Sequence, residues 1–239
     1  MRYFTLLVIL FCFSCDNERV LHLPEIGNTE ITEVLDVSPA YLFYDETQPD
    51  STLLNRKNLI STTNWLVNVD KRLTLKQAIP HIKFLQDKKR NAKMHKNEDA
   101  KNYFTCNDTS VSNLGFIEFT SIDFIIDETP ESFYKNISQL YENRKFIHPK
   151  IINVESFHGN ILMAEIIHGS GIELSLKMIR YSEFPKYLES YYSESLKEYL
   201  EVILSFDKNL SFQDYISIKS ELKKIKSDKI IIDTNEFIY

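Results

Sequence analysis

The chain has 239 residues and a formal net charge of −6, and 43% of its residues are hydrophobic and 13% aromatic. An acidic chain lacks the basic surface that a nucleic acid requires, so we exclude nucleic-acid binding, while the apolar content is ample for a core. Only five glycines occur and neither glycine fingerprint of nucleotide-binding loops is present, so we expect no nucleotide cofactor.

The first element is an export signal. Arg2 precedes an apolar run over residues 3–13, which Ser14, Cys15 and a polar stretch follow. A basic residue, a short apolar run and a small residue before a cleavage point form a secretory signal, and the run is shorter than the roughly 20 residues of a transmembrane helix. This pattern resembles the signal of bacterial lipoproteins, which ends in a small residue followed by a cysteine.

The lipoprotein resemblance implies that residues 1–14 are removed and that Cys15 is lipidated with acyl chains such as palmitate. Two acyl chains hold a soluble domain stably on a membrane. The mature chain would keep 27 basic and 34 acidic residues, a net charge of −7. We therefore expect a protein of the bacterial cell envelope, on its periplasmic or outer-surface face, with the membrane and an envelope protein as partners. The alternatives are an ordinary cleaved signal, which would lose the anchor, and a short uncleaved anchor.

The next segment, residues 15–56, is polar and irregular and contains Pro24, Pro39 and Pro49. This composition predicts a lipid-anchored spacer in front of a globular domain over residues 57–239. Residues 31–43 are an exception, because they could form a short helix or strand.

A strand and a helix are predicted at the start of the domain. Trp65, Val67 and Val69 alternate with polar residues, which is typical of a half-buried strand. Thr74 and Gln77 have the spacing of a capping box and precede an apolar helical stripe. Between residues 83 and 101 there are seven basic and three acidic residues. We interpret them as a solvated helix end with a charged loop, and the alternative is contact with anionic lipid headgroups or an acidic partner.

An internal repeat occupies the second half of the chain, at an offset of 79 residues. The matching stretches are 132–138 with 211–217, and 150–152 with 229–231. Each copy, at about 120–155 and 199–234, follows an apolar strand that ends in an aspartate, Asp127 or Asp207. These aspartates could be catalytic, but without a glycine-rich loop or clustered histidines beside them we interpret them as turn residues.

Residues 67–85 repeat this outline with fewer identities, and here Asp70 follows the strand. In each copy a hydroxyl residue precedes the predicted helix as its cap, namely Thr74, Thr129 and Ser211. The sequence thus predicts three strand–turn–helix units.

Between the two better copies, residues 161–167 and 172–179 flank a glycine-containing turn and predict a hairpin. A tyrosine-rich helix follows, beginning near Pro185; it could bind sugars or a partner, but we interpret it as an amphipathic helix over a sheet. The predicted fold class is therefore α+β, with a mixed sheet of repeated strand–turn–helix(–strand) units, a central hairpin and packed helices.

The segment from Leu204 to Phe212, with Asp207 and Lys208 after a strand and Ser211 before a helix, resembles the periplasmic domain of ExbD and TolR proteins. Those proteins transmit force in envelope motors, so the resemblance implies a motor-associated role and a homodimer formed through the sheet. They carry an acidic transmembrane helix, whereas this chain has a short apolar run without an acid.

Residues that could carry catalysis are few. The histidines are His22, His81, His95, His148, His158 and His168, and they show no zinc-binding spacing. His158 and His168, with Glu155 and Glu165 nearby, would form a metal pair only if the fold joined positions about 30 Å apart in an extended strand. We therefore name no catalytic, metal or cofactor residue.

Cys106 is the one thiol left if residues 1–14 are removed and Cys15 is lipidated. It could be a nucleophile served by a histidine, but without a catalytic signature around it we interpret it as a small buried residue near a strand end. We expect a non-catalytic binding or scaffolding domain. The alternatives are an envelope hydrolase whose site is assembled from distant loops and a component of the ExbD or TolR kind.

Overall fold

The computed structural model describes residues 19–92, 97–126, 148–157, 160–166, 175–195 and 200–239. Within these ranges the fold is α+β, as predicted, with two mixed sheets and three α-helices around one hydrophobic core. The elements are β1 (Glu25–Ile26), β2 (Val37–Tyr44), β3 (Thr52–Asn55), β4 (Asn64–Val69), α1 (Leu75–Arg90), β5 (Asn102–Asp108), β6 (Asn113–Glu118), β7 (Asp123–Ile126), β8 (His148–Phe157), β9 (Asn160–Ile166), β10 (Ser175–Arg180), a 3₁₀ helix (Tyr181–Glu183), α2 (Phe184–Ser195), β11 (Leu200–Phe206), α3 (Phe212–Leu222) and β12 (Ile230–Ile238).

The first sheet has the order β1-β5-β4-β2-β3, and β6 also pairs with β5. Its centre is the predicted strand–turn–helix unit, in which β4 and β5 are parallel and α1 connects them. Leu75, Ile79 and Ile82 are fully buried, as the predicted stripe requires. The backbone amide of Thr74 donates to Oε1 of Gln77 over 2.9 Å, which confirms the predicted cap of α1.

The second sheet has the order β10-β9-β8-β11-β12-β7. Here β11, α3 and β12 form the second parallel unit, and Oγ of Ser211 accepts the backbone amide of Asp214 over 3.1 Å, which confirms the cap of α3. Strands β9 and β10 are antiparallel, which confirms the predicted hairpin, and α2 confirms the helix near Pro185. Of the third unit, the structure describes β7 and β8, while Asp127, Thr129 and residues 132–138 lie outside the described residues.

The turns in front of α1 and α3 bind each other, and we call this contact the joint (residues 70–76 with 207–213). Its four backbone hydrogen bonds run from the amide of Leu75 to the carbonyl of Leu210 (2.8 Å), from Phe212 to Leu73 (2.7 Å), from Lys76 to Lys208 (2.8 Å) and from Gln213 to Lys71 (3.3 Å). Adding 137 to a residue number in the first turn gives the equivalent residue in the second turn, so that Leu75 corresponds to Phe212 and Lys76 to Gln213. Each bond therefore has a reciprocal bond between the equivalent residues, and the two units are related by a local two-fold arrangement. The amides of a helix's first turn have no partner within the helix, and here each helix finds acceptors in the other unit's turn.

Aromatic side chains fill the core behind the joint. Phe104 of β5 stacks on Phe119 with ring centroids 3.8 Å apart, and Phe212 of α3 meets Phe104 edge-on at 5.3 Å. Tyr215 of α3 contacts Phe206 of β11 edge-on at 5.2 Å. Because these rings come from both units, the two sheets share one core.

The structure differs from the predicted spacer over residues 15–56, because it places three strands between residues 25 and 55. Strand β2 lies between β4 and β3, and Ser38, Ala40 and Leu42 are almost completely buried. Residues 37–40 pair only with β4, so Pro39 stands where one strand edge is open and a missing amide hydrogen is tolerated. The described part of this segment therefore belongs to the folded domain, whose start lies well before residue 57.

Candidate functional site

The residues singled out by the sequence are distributed over the molecule. Cys15 lies outside the described residues, so its lipidation stays a prediction. Cys106 is fully buried in β5, and burial raises the pKa of its thiol to about 12, so the thiolate that a nucleophile needs is not available at neutral pH. Its interpretation as a small buried residue is confirmed.

The histidines do not form a site within the described ranges. Nε2 of His81 lies 2.9 Å from Oγ1 of Thr52, but this hydroxyl donates to Oδ2 of Asp50 over 2.6 Å and is therefore not activated as a nucleophile. His95, His158 and His168 lie outside the described residues, as do the side chains of His148, Glu155 and Glu165. Among the described residues no group of three or more metal-binding side chains occurs.

Asp70 and Asp207 are turn residues, as predicted. Oδ1 and Oδ2 of Asp70 accept Nε and Nη2 of Arg72 over 2.9 and 2.8 Å, and Oδ2 also accepts the amide of His22. Burial raises the pKa of Asp70, but the hydrogen bonds from Arg72 and His22 outweigh it, so its pKa is lower than usual. Oδ1 of Asp207 accepts the backbone amide of Asn209 over 2.8 Å, which is an ordinary turn contact.

Two described residues of the basic stretch, Lys89 and Arg90, attach the end of α1 to the two sheets. Lys89 is buried, and its Nζ donates to the carbonyls of Thr63 and Lys101 and to Oδ1 of Asn102, at 2.9 to 3.2 Å. Burial without a carboxylate partner lowers the pKa of Lys89 to about 8. Arg90 pairs with Asp123 at the edge of the second sheet.

A second buried charge network connects α3 to β12. Glu236 has no exposed surface, and it pairs with Lys219 and accepts the hydroxyl of Tyr215 over 2.6 Å. Burial and the neighbouring Glu236 raise the pKa of Tyr215 well above its ordinary value. These contacts hold the helix on its sheet, so the network is structural.

The segment that precedes β2 crosses the molecule, and we call residues 22–31 the strap. Its strand β1 pairs with β5, and the amide of Glu25 donates to Oε1 of Gln213 over 2.8 Å. Nε2 of Gln213 returns a hydrogen bond to the carbonyl of Glu25 over 2.8 Å. The carbonyl of His22 accepts the amide of Lys71 over 2.8 Å. The strap is therefore fixed to both units beside the joint.

Gly115 allows the strap to lie close to β6. A Cβ atom at this position would lie 2.5 Å from Cγ2 of Thr29 and 3.1 Å from Cδ1 of Ile26. Oγ1 of Thr29 donates to the carbonyl of Phe116 over 3.1 Å, and the amide of Phe116 donates to the carbonyl of Ile31 over 3.0 Å. The strap thus covers part of the edge of the first sheet.

A cleft runs between the strap and the C-terminal half of α3, and it is the candidate functional site. Its first part, about 450 Å³, is lined by polar residues of the strap, α3 and the β10 end, among them Glu25, Arg180, Ser217 and Ser220. Its second part, about 410 Å³, shares Ser220 and continues along the strap. The first part is the more open of the two, and most residues that line both parts are polar or charged, with Ile31, Ile117 and Ile225 adding apolar surface to the second part. This combination of apolar surface with a few polar groups is typical of ligand sites.

Three lysines line the second part of the cleft, Lys223, Lys224 and Lys226, and we call this the lysine end. Nζ of Lys224 pairs with Oε1 of Glu221 over 2.5 Å. Lys223 has an exposed surface, yet partial burial of its ammonium and then repulsion from Lys219 lower its pKa, against the attraction of Glu118 and Glu30.

Reasoning from the sequence missed this cleft. Its two walls lie about 190 positions apart, and its lysines follow a helix end, where cations are common for reasons of the helix dipole alone. The one local signal was the density of lysines after residue 218.

The comparisons with known proteins give no assignment. Neither the protein-family models, nor the curated proteins, nor the solved structures contain a match to this chain. A helix long and apolar enough to cross a membrane is not found among the described residues.

Proposed function

We propose that this protein is a lipid-anchored, non-catalytic binding or scaffolding domain of the bacterial cell envelope. The observation that carries the proposal is the strap, which follows the lipoprotein-like signal closely and is fixed to both units of the fold. A segment held in this way suits the attachment of a folded domain to an anchor, because a load on the anchor reaches both sheets at once.

The length of chain between the proposed anchor and the fold supports a position close to the bilayer. His22, whose carbonyl already binds the first unit, lies seven positions after Cys15. An extended chain of this length spans at most about 25 Å. The cleft beside the strap would therefore lie near the membrane surface.

Three buried ionisable groups of the described chain have structural partners, which supports binding over catalysis. Asp70 is paired with Arg72, Glu236 with Lys219, and Lys89 is surrounded by three acceptors. Catalytic acids and bases are typically set apart in a pocket with a perturbed pKa and a free face towards the substrate. The cleft instead offers several hydrophilic side chains along an open surface.

The anchor is tested by the intact mass of the native protein, extracted from membranes, beside a Cys15→Ala variant. We expect a mass that lacks residues 1–14 and includes acyl chains, and the loss of these chains in the variant. An unacylated product, or retention of Met1, would contradict the proposal. A photo-crosslinking residue at position 226 should then give an envelope adduct that the same residue at position 57, on the first unit, does not give.

A motor-associated component is the second candidate, and the paired turns favour it. The Asp-Lys step that carries the resemblance to ExbD and TolR proteins directly follows a strand at Asp70-Lys71 and at Asp207-Lys208, and the joint brings these two steps together. This candidate predicts a homodimer through a sheet. Light scattering of the membrane-extracted protein after size exclusion tests it, and a monomer at all concentrations would argue against it.

A further inference from the structure

The lysine end of the cleft combines cations from one helix end with donors from the strap. Lys223 and Lys226 line the same opening as Asn28 and Thr29, and the opening holds about 410 Å³. Oγ1 of Thr29 already donates to the carbonyl of Phe116, so among these strap residues Asn28 is the one with an exposed side-chain amide to offer.

The charges around this opening leave two lysines available to a ligand. Lys224 is engaged by Glu221, and Lys219 is engaged by the buried Glu236. Glu118 attracts Lys223 but is itself paired with Lys101 over 3.0 Å. The remaining carboxylate is that of Glu30, which is exposed and lines the same opening.

An anion in this opening would reduce the repulsion that Lys223 experiences in the folded protein. Lys223 is partly desolvated and is repelled by Lys219, and both effects lower its pKa. A negative group between Lys223 and Lys226 would offset this repulsion. Lysine ammonium groups act as point charges with several donors and are common ligands of phosphate, whose oxygens point in several directions and can accept from more than one of them.

We propose that the lysine end of the cleft binds a phosphate group, with Lys223 and Lys226 as its cationic ligands and the Asn28 amide as a further donor. Glu30 opposes this binding because its carboxylate faces the same opening. The proposal deepens the proposed binding function and rests on it only for the source of the phosphate. Near a membrane that source would be the phosphodiester of an anionic lipid headgroup, and otherwise a free phosphate compound.

The test is isothermal titration calorimetry on the full-length protein in a nonionic detergent at constant ionic strength. One arm uses inorganic phosphate, and the other uses glycerophosphoglycerol, the water-soluble headgroup of phosphatidylglycerol. The variant Lys223→Gln/Lys226→Gln is compared with Lys57→Gln/Lys76→Gln, which removes two exposed lysines from the first unit. The variant Glu30→Gln removes the opposing carboxylate.

We expect binding of at least one of the two compounds, weakened about tenfold or more in Lys223→Gln/Lys226→Gln and changed less than about twofold in Lys57→Gln/Lys76→Gln. Glu30→Gln should strengthen it by about two- to threefold, a gain that damage to the fold would not produce. The compound that binds more tightly identifies the source as headgroup or free phosphate.

The proposal is overturned if neither compound binds below about 10 mM, or if the two double variants weaken binding equally. Equal weakening would mean that the net charge attracts the anion without a site. This readout does not depend on acylation of Cys15, so failure of the anchor and failure of the phosphate site are separate results.

Discussion

Glu236 is a residue at which a small substitution should strongly lower the free energy of unfolding. It has no exposed surface and binds both Lys219 and Tyr215, so Glu236→Gln leaves the buried ammonium of Lys219 without its opposite charge. Removal of one member of a buried pair typically costs about 3 kcal/mol or more. Urea unfolding of the variant measures this loss.

The matched control is Glu221→Gln in the same helix α3, which breaks the more exposed pair with Lys224, just after the helix end. This change should cost less than about 1 kcal/mol. A combined Glu236→Leu/Lys219→Met variant should recover stability relative to Glu236→Gln, because it removes both charges from the interior. Equal losses in Glu236→Gln and Glu221→Gln would mean that the buried pair has no special role.

Because of Lys89, the free energy of unfolding should increase with pH in the alkaline range. Its pKa in the folded state is about 8, below the ordinary lysine value of 10.5, because the ammonium is buried. Between these two values the unfolded chain binds more protons than the folded chain, so stability rises with pH. The cost of burying the charge is thus present below about pH 8 and is relieved towards pH 10.5.

Unfolding free energies at pH 7 and pH 9.5 test this sign, with Lys89→Met as the variant and Lys88→Met, at an exposed neighbouring position, as the control. The wild type should gain stability relative to Lys89→Met as the pH rises, and Lys88→Met should follow the wild type. Parallel curves for all three proteins would mean that Lys89 titrates normally.

At the scale of elements, the joint depends on backbone amides of the first helical turns. The amide of Lys76 donates to the carbonyl of Lys208 over 2.8 Å, and its side chain is exposed. A proline in the first turn of a helix is tolerated by the helix itself, so Lys76→Pro removes mainly the bond between the units. We expect a loss of about 1–2 kcal/mol on urea unfolding.

Lys76→Ala is the control, because it removes the same side chain and keeps the amide. It should unfold like the wild type within about 0.5 kcal/mol. A proline variant as stable as the alanine variant would show that the joint contributes little and that the aromatic core alone holds the units together.

The elements that could be predicted have local signals. Trp65, Val67 and Val69 alternate within one strand, and Thr74 and Gln77 mark the start of α1 within four residues. Strand β2 was predicted only as an alternative, because Pro39 and the surrounding acidic and proline residues resemble a linker. What makes it a strand is its pairing with β4, a contact to residues 27 positions later that no local pattern records.

The candidate site could not be predicted for the same reason. The strap and α3 meet through Glu25 and Gln213, which are 188 positions apart. The joint is formed by the turns at Asp70-Lys71 and Asp207-Lys208. The clearer internal repeat instead relates residues 211–217 to residues 132–138, so it does not indicate this pair of turns. Contacts between residues so far apart in the sequence can be identified only in the folded structure.

For the whole molecule, we expect one cooperative unfolding transition. The two sheets share an aromatic core and the joint, so neither unit can lose its structure without exposing Phe104 and Phe212. The single tryptophan, Trp65, lies in the first sheet and reports on it by fluorescence, whereas far-UV circular dichroism reports on both sheets. The two signals should give the same midpoint in urea.

A fluorescence midpoint clearly below or above that of circular dichroism would show that the units unfold separately. In that case the joint would be a contact between two independent domains. The variant Lys76→Pro sharpens this test, because it should separate the midpoints if the coupling runs through the joint.

The local two-fold arrangement extends to two residues outside the joint, His22 and Tyr239. The amide of Lys71 binds the carbonyl of His22, and the equivalent amide of Lys208 binds the carbonyl of Tyr239 over 2.9 Å. His22 and Tyr239 therefore bind the two turns of the joint in equivalent ways, one on each turn. A circular permutant that links residue 239 to residue 22 through a short connector and opens elsewhere should therefore keep the joint and unfold like the wild type.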